Sequence, residues 1–329
     1  MNVMLLAAGE GTRLRPYTLT LPKPAIPFVT VPLAGHSLSF LGNLAINKLV
    51  VNTYHLPGEI HHLFHSLRHH AKSLHFSDEV GQILGSGGGL GKARDHFMGD
   101  ESFVMMNADE IILPKESDVM KKAILHHRHQ RNVATLMVMD HPDVGTKFGG
   151  VWTDAHNRVL GFGKTPIAGA VKAWHFVGVQ ILSDKVFDFI PAKGESNILY
   201  DALTVAIKKG LSVEAYPFEC TWFETGNPTD FLEASEKCLH YLAGPATYQK
   251  AILEGTLKRY SKEETVLAST DGGYSLISKS AFLGHSRIHG TFCAGPGAIV
   301  ENGCELTNVI VGTNARVPAG TQAKDTLFL

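Results

Sequence analysis

Gly9, Gly11, Arg13, Arg15 and Lys23 stand close together near the start of the chain, directly after an apolar run over residues 3–8. That run reads as a short buried strand, and the two glycines break it into a loop. With no Cβ in the way, the backbone N–H groups of such a loop can close on an anion. Arg13 and Arg15 add fixed positive charge beside those amides, and Lys23 supplies a third cation. A strand, a glycine turn and nearby cations are what a triphosphate site needs.

Two common phosphate loops do not fit. A dinucleotide fingerprint needs a third glycine where this chain has Leu14, and no Gly-Lys-Ser/Thr follows the first glycine as a P-loop requires. Gly163-Lys164-Thr165 has Arg158 in place of the first P-loop glycine. Gly91-Lys92 is followed by Ala93 and has Ser86 at that place.

The run Leu5-Leu6-Ala7-Ala8-Gly9-Glu10-Gly11-Thr12-Arg13-Leu14-Arg15-Pro16, with Pro22-Lys23-Pro24 after it, resembles the opening of the sugar-1-phosphate nucleotidyltransferases. The resemblance implies that Ala7, Ala8, Gly9, Gly11, Thr12 and Arg13 hold a nucleoside triphosphate and that Lys23 neutralises its α-phosphate. Asn107-Ala108-Asp109 is similar to the family's Asn-Gly-Asp, whose carboxylate coordinates Mg²⁺. Residues 84–90, Leu-Gly-Ser-Gly-Gly-Gly-Leu, resemble the loop that lies against nucleobase and ribose, which implies nucleotide contacts for Gly85, Ser86 and Gly87. Phe148-Gly149-Gly150-Val151 resembles the segment under the sugar; Gly150, Gly178 and Lys164 are implied sugar contacts, with Lys164 on the sugar phosphate. Trp222-Phe223-Glu224-Thr225-Gly226-Asn227-Pro228 is similar to the segment that carries the second metal ligand, which implies Asp109 and Glu224 as the Mg²⁺ pair. Arg13, Lys23 and Lys164 are the implied catalytic cations. Two positions depart from the family: Gly163 replaces a glutamate, and Glu224 replaces an aspartate.

Strands alternate with helices through the first two-thirds of the chain, at 48–54, 74–76, 102–106, 133–139, 174–182, 212–218 and 220–225, with a hairpin over 149–162. Helices are expected over 36–46, from Pro57, from Ser117 to about 130, over 197–209 and from Pro228 to about 242. The implied fold is α/β, a mostly parallel doubly wound sheet of Rossmann-like kind, with ligands at the carboxyl ends of the strands. The opening loop and Asp109 both fall at such ends. Gly244 and Pro245 mark a boundary, and residues 248–273 are polar with no clear pattern. After them Phe282, Ile288, Ala294, Val300 and Leu306 recur every six residues, and Val311, Val317, Ala323 and Leu329 continue the period after one deletion. That period predicts a short left-handed parallel β-helix. The expected domains are residues 1–242, catalytic; 243–275, linking; and 276–329, the β-helix. So short a helix is expected to pack on the first domain or on another copy of the chain, as in a homo-oligomer.

The 329 residues carry a formal net charge of -1, which gives no reason to expect nucleic acid as a partner. No apolar stretch approaches the ~18 residues that span a bilayer, and the first one is too short for a signal peptide, so the expected place is the cytoplasm. The four cysteines show no C-x-x-C spacing and read as reduced packing residues. Eight of the 18 histidines fall in two clusters, 61–70 and 126–129, which read as solvated helix surface rather than as metal ligands.

The reaction so implied joins a nucleoside triphosphate to a sugar 1-phosphate and releases pyrophosphate. The tail resembles that of mannose-1-phosphate guanylyltransferases. Uridylyl transfer to a hexose or amino-sugar 1-phosphate uses similar segments. Gly163 and Glu224 leave open a reading from another class, a catalytically weak nucleotide-sugar sensor or partner subunit.

Overall fold

The computed structural model describes residues 1–67 and 69–329. At its centre is a nine-stranded mixed sheet. One half is parallel, in the order Phe103–Asn107, Val3–Leu6, Lys48–Thr53, Ser73–Asp78. The inner strands read as apolar runs because both faces of the sheet are covered, whereas Ser73–Asp78, at the edge, mixes polar and apolar residues. Val3 and Leu5 point into one core with Ile60 and Phe64 of the helix Pro57–Ser66. Met4 points into another, with Leu90 and Phe97. Truncating a wholly buried Leu or Ile at such a position costs about 2–5 kcal/mol.

The sheet is mixed and mostly parallel, as expected, and its other half carries the antiparallel pairs. Lys172–Leu182 runs antiparallel to Phe103–Asn107, to Ala134–Met139 and to Gly150–Thr153. The cause is the hairpin Gly150–Thr153 and Val159–Gly163, which returns the chain along the sheet by a short turn, whereas parallel strands need a long crossover. The long strand slips register between Phe176 and Gln180, around Gly178 at φ 76°.

Three local readings also change. The glycine run over 84–90, expected as a loop, is the helix Gly85–Lys92. Its glycines serve close approach: a Cβ on Gly88 would stand 2.6 Å from the Gly194 carbonyl oxygen, and one on Gly89 would stand 2.7 Å from Glu79 Oε1. The helix expected over 36–46 is Leu33–Phe40. Residues expected as one helix over 197–209 split into the π-helix Ile198–Leu203 and the short α-helix Thr204–Lys208, with Asn197 Oδ1 accepting from the N–H groups of Leu199 and Tyr200.

After the helix Pro228–Ala243, the stretch that shows no pattern in sequence opens with a helix, Tyr248–Tyr260, capped by the Thr247 side chain. Leu253, Thr256 and Tyr260 bury one face of it. A five-stranded sheet follows, Thr265–Thr270, Gly273–Ser278, Arg287–Ala294, Glu305–Val311 and Gln322–Phe328, parallel after its first pair. Opposite it, Phe282–Leu283, Ile299–Val300 and Arg316–Val317 form a three-stranded parallel sheet. Ala294, Val300, Leu306, Val311 and Val317, five of the six-spaced residues, lie at 0% exposure in the core between the two sheets. Phe282 does not; it is 59% exposed, on the edge strand of its sheet. Among the described residues, no helix is long and apolar enough to cross a membrane.

His36, His127 and His175 are buried inside the first 240 residues, and burial pulls each pKa down from 6.5 to about 4. A histidine with a depressed folded pKa binds its proton more readily when unfolded, so stability falls as pH drops from 6.5 toward 4, by about 1.4 kcal/mol per pH unit per histidine inside that window. Urea unfolding at pH 7.5 and pH 5 is expected to show a clearly lower midpoint at the acid value, and equal midpoints would contradict the burial of these imidazoles.

Candidate active site

The site begins where the first strand ends. The Ala7 N–H donates to Asn52 Oδ1 at 2.8 Å, and Asn52 Nδ2 donates to Glu79 Oε1 at 2.8 Å. The other Glu79 oxygen accepts from the Leu84 N–H at 2.7 Å. One buried carboxylate therefore ties the start of the glycine loop to the start of the Gly85–Lys92 helix. Burial holds the Glu79 pKa above the usual carboxylate range, against the pull of those two hydrogen bonds.

Beyond Ala8 the two loop glycines act differently. Where a Gly9 Cβ would stand there is nothing within 4 Å, so the backbone is open to a ligand. Gly11 sits at φ 61° and its carbonyl accepts from the Leu14 N–H and the Thr18 hydroxyl, both at 2.9 Å, which turns the chain into Thr12–Leu14. The loop borders a cavity of about 400 Å³. Ala7, Ala8, Gly9, Gly11, Thr12 and Arg13 line one side. Lys23, Gly85, Ser86 and Asp109 line the rest, with Asn52, Ile83 and Gly226.

The charges in this cavity are paired. Lys23 Nζ lies 2.6 Å from Asp109 Oδ2, both side chains mostly buried. Burial works against the Lys23 ammonium, but the charge and hydrogen bond of Asp109 outweigh it, and Glu110 and Glu224 add to them, so its pKa is raised. Arg13 Nη2 lies 3.8 Å from Glu224 Oε1, beside Gly226. A Cβ at Gly226 would stand 2.7 Å from Arg13 Cζ, so the glycine lets the guanidinium lie close against the backbone in this arrangement.

Under Asp109 lies Glu110, which accepts from Asn107 Nδ2 and Trp222 Nε1, each at 2.8 Å. Burial, and then the neighbouring Asp109 charge, raise its pKa. A Cβ on Gly178 would collide with the Glu110 carboxylate, so the glycine makes room for it. Gly178 lines a second cavity of about 240 Å³ that shares Leu6, Ser86 and Asn107 with the first. Phe176 also lines it, and its neighbour in sequence, His175, meets Trp222 at 4.3 Å and Phe148 at 4.8 Å between ring centroids.

The residues picked from sequence divide into three sets. Ten of them gather on the first cavity, and Glu224 reaches it through Arg13 and Gly226. Gly178 belongs to the adjoining cavity, and Gly87 packs under Ser196 instead of lining either. Gly150 is buried against Val144 and Ala173, and Lys164 is exposed outside both cavities. Sequence reasoning passed over Asn52, Glu79 and Glu110 as site-building groups; the polar ends of two otherwise apolar strands were the available signal.

Asp109 and Glu224 are the side chains that could hold a metal. Mg²⁺ is usually held by one or two carboxylates plus substrate phosphates, and two partly exposed carboxylates fit that pattern. Among the described residues, no group of three or more His, Cys, Asp or Glu forms a protein-only site. The histidine clusters make ordinary pairs, His61 with Asp78 at 2.8 Å and His126 with Glu214 at 2.7 Å.

The pattern of the nucleotidyl transferase family matches residues 2–240, and the chain belongs to that family. It is 27% identical to a UTP–glucose-1-phosphate uridylyltransferase of Synechocystis sp., over 93% of this chain and 76% of the relative. It is 26% identical to a mannose-1-phosphate guanylyltransferase of Mycobacterium tuberculosis, over 97% and 82%. Of solved structures, an inositol-1-phosphate CTP transferase from T. maritima superposes with a TM-score of 0.60 at 17% identity, covering 79% of this chain and 97% of that one. A UDP-glucose pyrophosphorylase complexed with UDP-glucose gives 0.60 at 20% identity, covering 72% and 97%. At these identities the structures show a shared fold.

Asn52→Ala would leave the Ala7 N–H and one Glu79 oxygen unpaired in a buried place. Each such group costs about 1–3 kcal/mol, so the expected loss is about 2–6 kcal/mol in urea unfolding. An unchanged midpoint would show that the carboxylate bridge does not hold the loop.

Proposed function

We propose that the chain transfers a nucleotidyl group from a nucleoside triphosphate to a sugar 1-phosphate, with GTP and mannose 1-phosphate as the first pair to test. An oxygen of the sugar phosphate bonds to the α-phosphorus. The bond from that phosphorus to the α–β bridging oxygen breaks, and pyrophosphate leaves with the electron pair. The nucleophile is already anionic, so no general base is needed; the barrier is repulsion between like charges.

The observation that carries this reading is Lys23, set in a cavity beside the open backbone of Gly9 and paired with Asp109 at 2.6 Å. In the proposed reaction Ala8, Gly9, Gly11 and Thr12 bind the polyphosphate through backbone N–H groups, and Arg13 and Lys23 neutralise it. Gly85 and Ser86 border the nucleoside, and the cavity around Gly178 and Asn107 takes the sugar. Asp109 and Glu224 would hold Mg²⁺, which when bound supplies further charge neutralisation at the phosphates. The proposed role of Lys164, on the sugar phosphate, requires its exposed segment to fold inward over the substrate.

A second reading, uridylyl transfer to a hexose 1-phosphate, is favoured by the likeness to the Synechocystis uridylyltransferase. A third, a sensor or partner subunit with weak catalysis, is favoured by Gly163. It sits at φ 140°, where a glutamate would be strained, with nothing within 4 Å of its Cβ position. We also read residues 276–329 as a left-handed β-helix on a catalytic domain of residues 1–242, with 243–275 between them. Strand partners 17 or 18 residues apart, Phe282 with Ile299 and Ile288 with Leu306, support a coil of three six-residue sides. Association through this tail and a cytoplasmic place belong to the same proposal.

Pyrophosphate release with Mg²⁺, across GTP, UTP, CTP and dTTP and a panel of sugar 1-phosphates, tests the proposal. One pair is expected to turn over, and Lys23→Ala is expected to lower kcat by about 10²–10³. No turnover with any pair in the wild type, with activity only in Glu224→Asp, would favour the sensor. No turnover in either would overturn the enzymatic reading.

A further inference from the structure

The glycine loop and Lys23 are joined by a short turn, Tyr17–Leu19, that is anchored on three sides. The Thr18 hydroxyl donates to the Gly11 carbonyl at 2.9 Å. The Thr18 carbonyl accepts from His55 Nε2 at 2.6 Å, just beyond the strand Lys48–Thr53 that carries Asn52. Thr18 is buried, and a Cβ on Gly11 would stand 2.9 Å from its Cγ2 and 3.4 Å from the Lys23 Cβ. Loop, turn and lysine are therefore packed as one piece.

The third anchor comes from the far end of the chain. Tyr17 Oη lies 3.0 Å from Thr326 Oγ1 and accepts from the Leu327 N–H at 3.4 Å. The strand that holds both partners is backed by an apolar ladder. Leu276, Cys293, Ile310 and Leu327 stand side by side, one on each of four neighbouring strands of the five-stranded sheet. This ladder is buried against Leu14, Ile26, Phe28 and Phe231, outside the core that lies between the two C-terminal sheets. Leu14 and Ile26 flank the segment that carries Tyr17 and Lys23, so the C-terminal strands grip that segment at both ends and by its middle.

A phosphate loop that is already ordered loses less conformational entropy on binding, so whatever holds it still raises its affinity. We propose, on the reading of the cavity beside Gly9 as a triphosphate site, that Tyr17 is a positioning residue of that site. The last strand, Gln322–Phe328, acts through it as a fixed support for the loop from Gly9 to Lys23. The C-terminal strands then contribute to nucleotide affinity within a single copy of the chain.

Inorganic tripolyphosphate is the probe, because it needs no choice of base, titrated calorimetrically into the full chain in metal-free buffer. Saturable binding is expected, markedly weaker in Lys23→Met. Tyr17→Phe and Thr326→Val are each expected to weaken it about threefold or more. The double variant is expected to bind no worse than the weaker single one, since both changes remove the same hydrogen bond. Thr326→Ser, which keeps the hydroxyl, is expected to bind like the wild type. Ser39→Ala removes a hydroxyl pair of the same kind, Ser39 Oγ with Thr256 Oγ1 at 2.7 Å, and Ser39 lines neither cavity. It is expected to lower the urea midpoint and leave the affinity unchanged. Unchanged affinity in Tyr17→Phe or Thr326→Val, or an equal loss in Ser39→Ala, would overturn the role of Tyr17 and leave the triphosphate site standing. A wild type that does not saturate below about 10 mM, or that binds no better than Lys23→Met, would overturn both.

Discussion

The ion pair between Lys23 and Asp109 is the constraint around which the site is arranged. At 2.6 Å and largely out of water, each charge depends on the other, since removing one partner of such a pair strands the other in a poor solvent. Glu110 sits directly behind, pinned by Asn107 and Trp222, and its raised pKa follows from burial and from the Asp109 charge. Arg13 and Glu224 form a second, looser pair at 3.8 Å. The resting site therefore alternates cations and carboxylates, and an arriving polyphosphate must compete with carboxylates for the same cations.

The fold is what brings those groups together. Asp109 follows one parallel strand and the glycine loop follows its neighbour, so both stand at the same edge of the sheet. Asn52 and Glu79, at the ends of the next two strands, lock the loop to the Gly85–Lys92 helix. The antiparallel half adds the other wall: Gly178, at the register slip of Lys172–Leu182, leaves the space that Glu110 fills. Four adjacent strand ends and one irregular strand thus define both cavities.

Much of this was legible in sequence, for physical reasons. The apolar runs of the parallel strands, the turn at Gly9 and Gly11 and the cations beside it are local signals, and Lys23 and Asp109 fall where those signals place them. The glycine run over 84–90 was misread because its glycines answer a tertiary demand, the nearness of Gly194 and Glu79, that no local pattern records. Glu110 with Trp222 is a contact across more than a hundred residues, invisible to spacing. The helix Tyr248–Tyr260 was hidden by a polar composition that buries a narrow face only. Burial pushes the thiols of Cys220 and Cys293 up to about 12, which disfavours the thiolate.

If Asp109 holds Lys23 in place by occupying it, then in metal-free solution the carboxylate is a competitor of the nucleotide. The direct measurement is nucleotide affinity by calorimetry in EDTA for wild type, Asp109→Asn and Lys23→Met. The account predicts tighter binding in Asp109→Asn, which frees the ammonium and removes a negative charge, and markedly weaker binding in Lys23→Met. Weaker binding in Asp109→Asn, or unchanged binding in Lys23→Met, would contradict it.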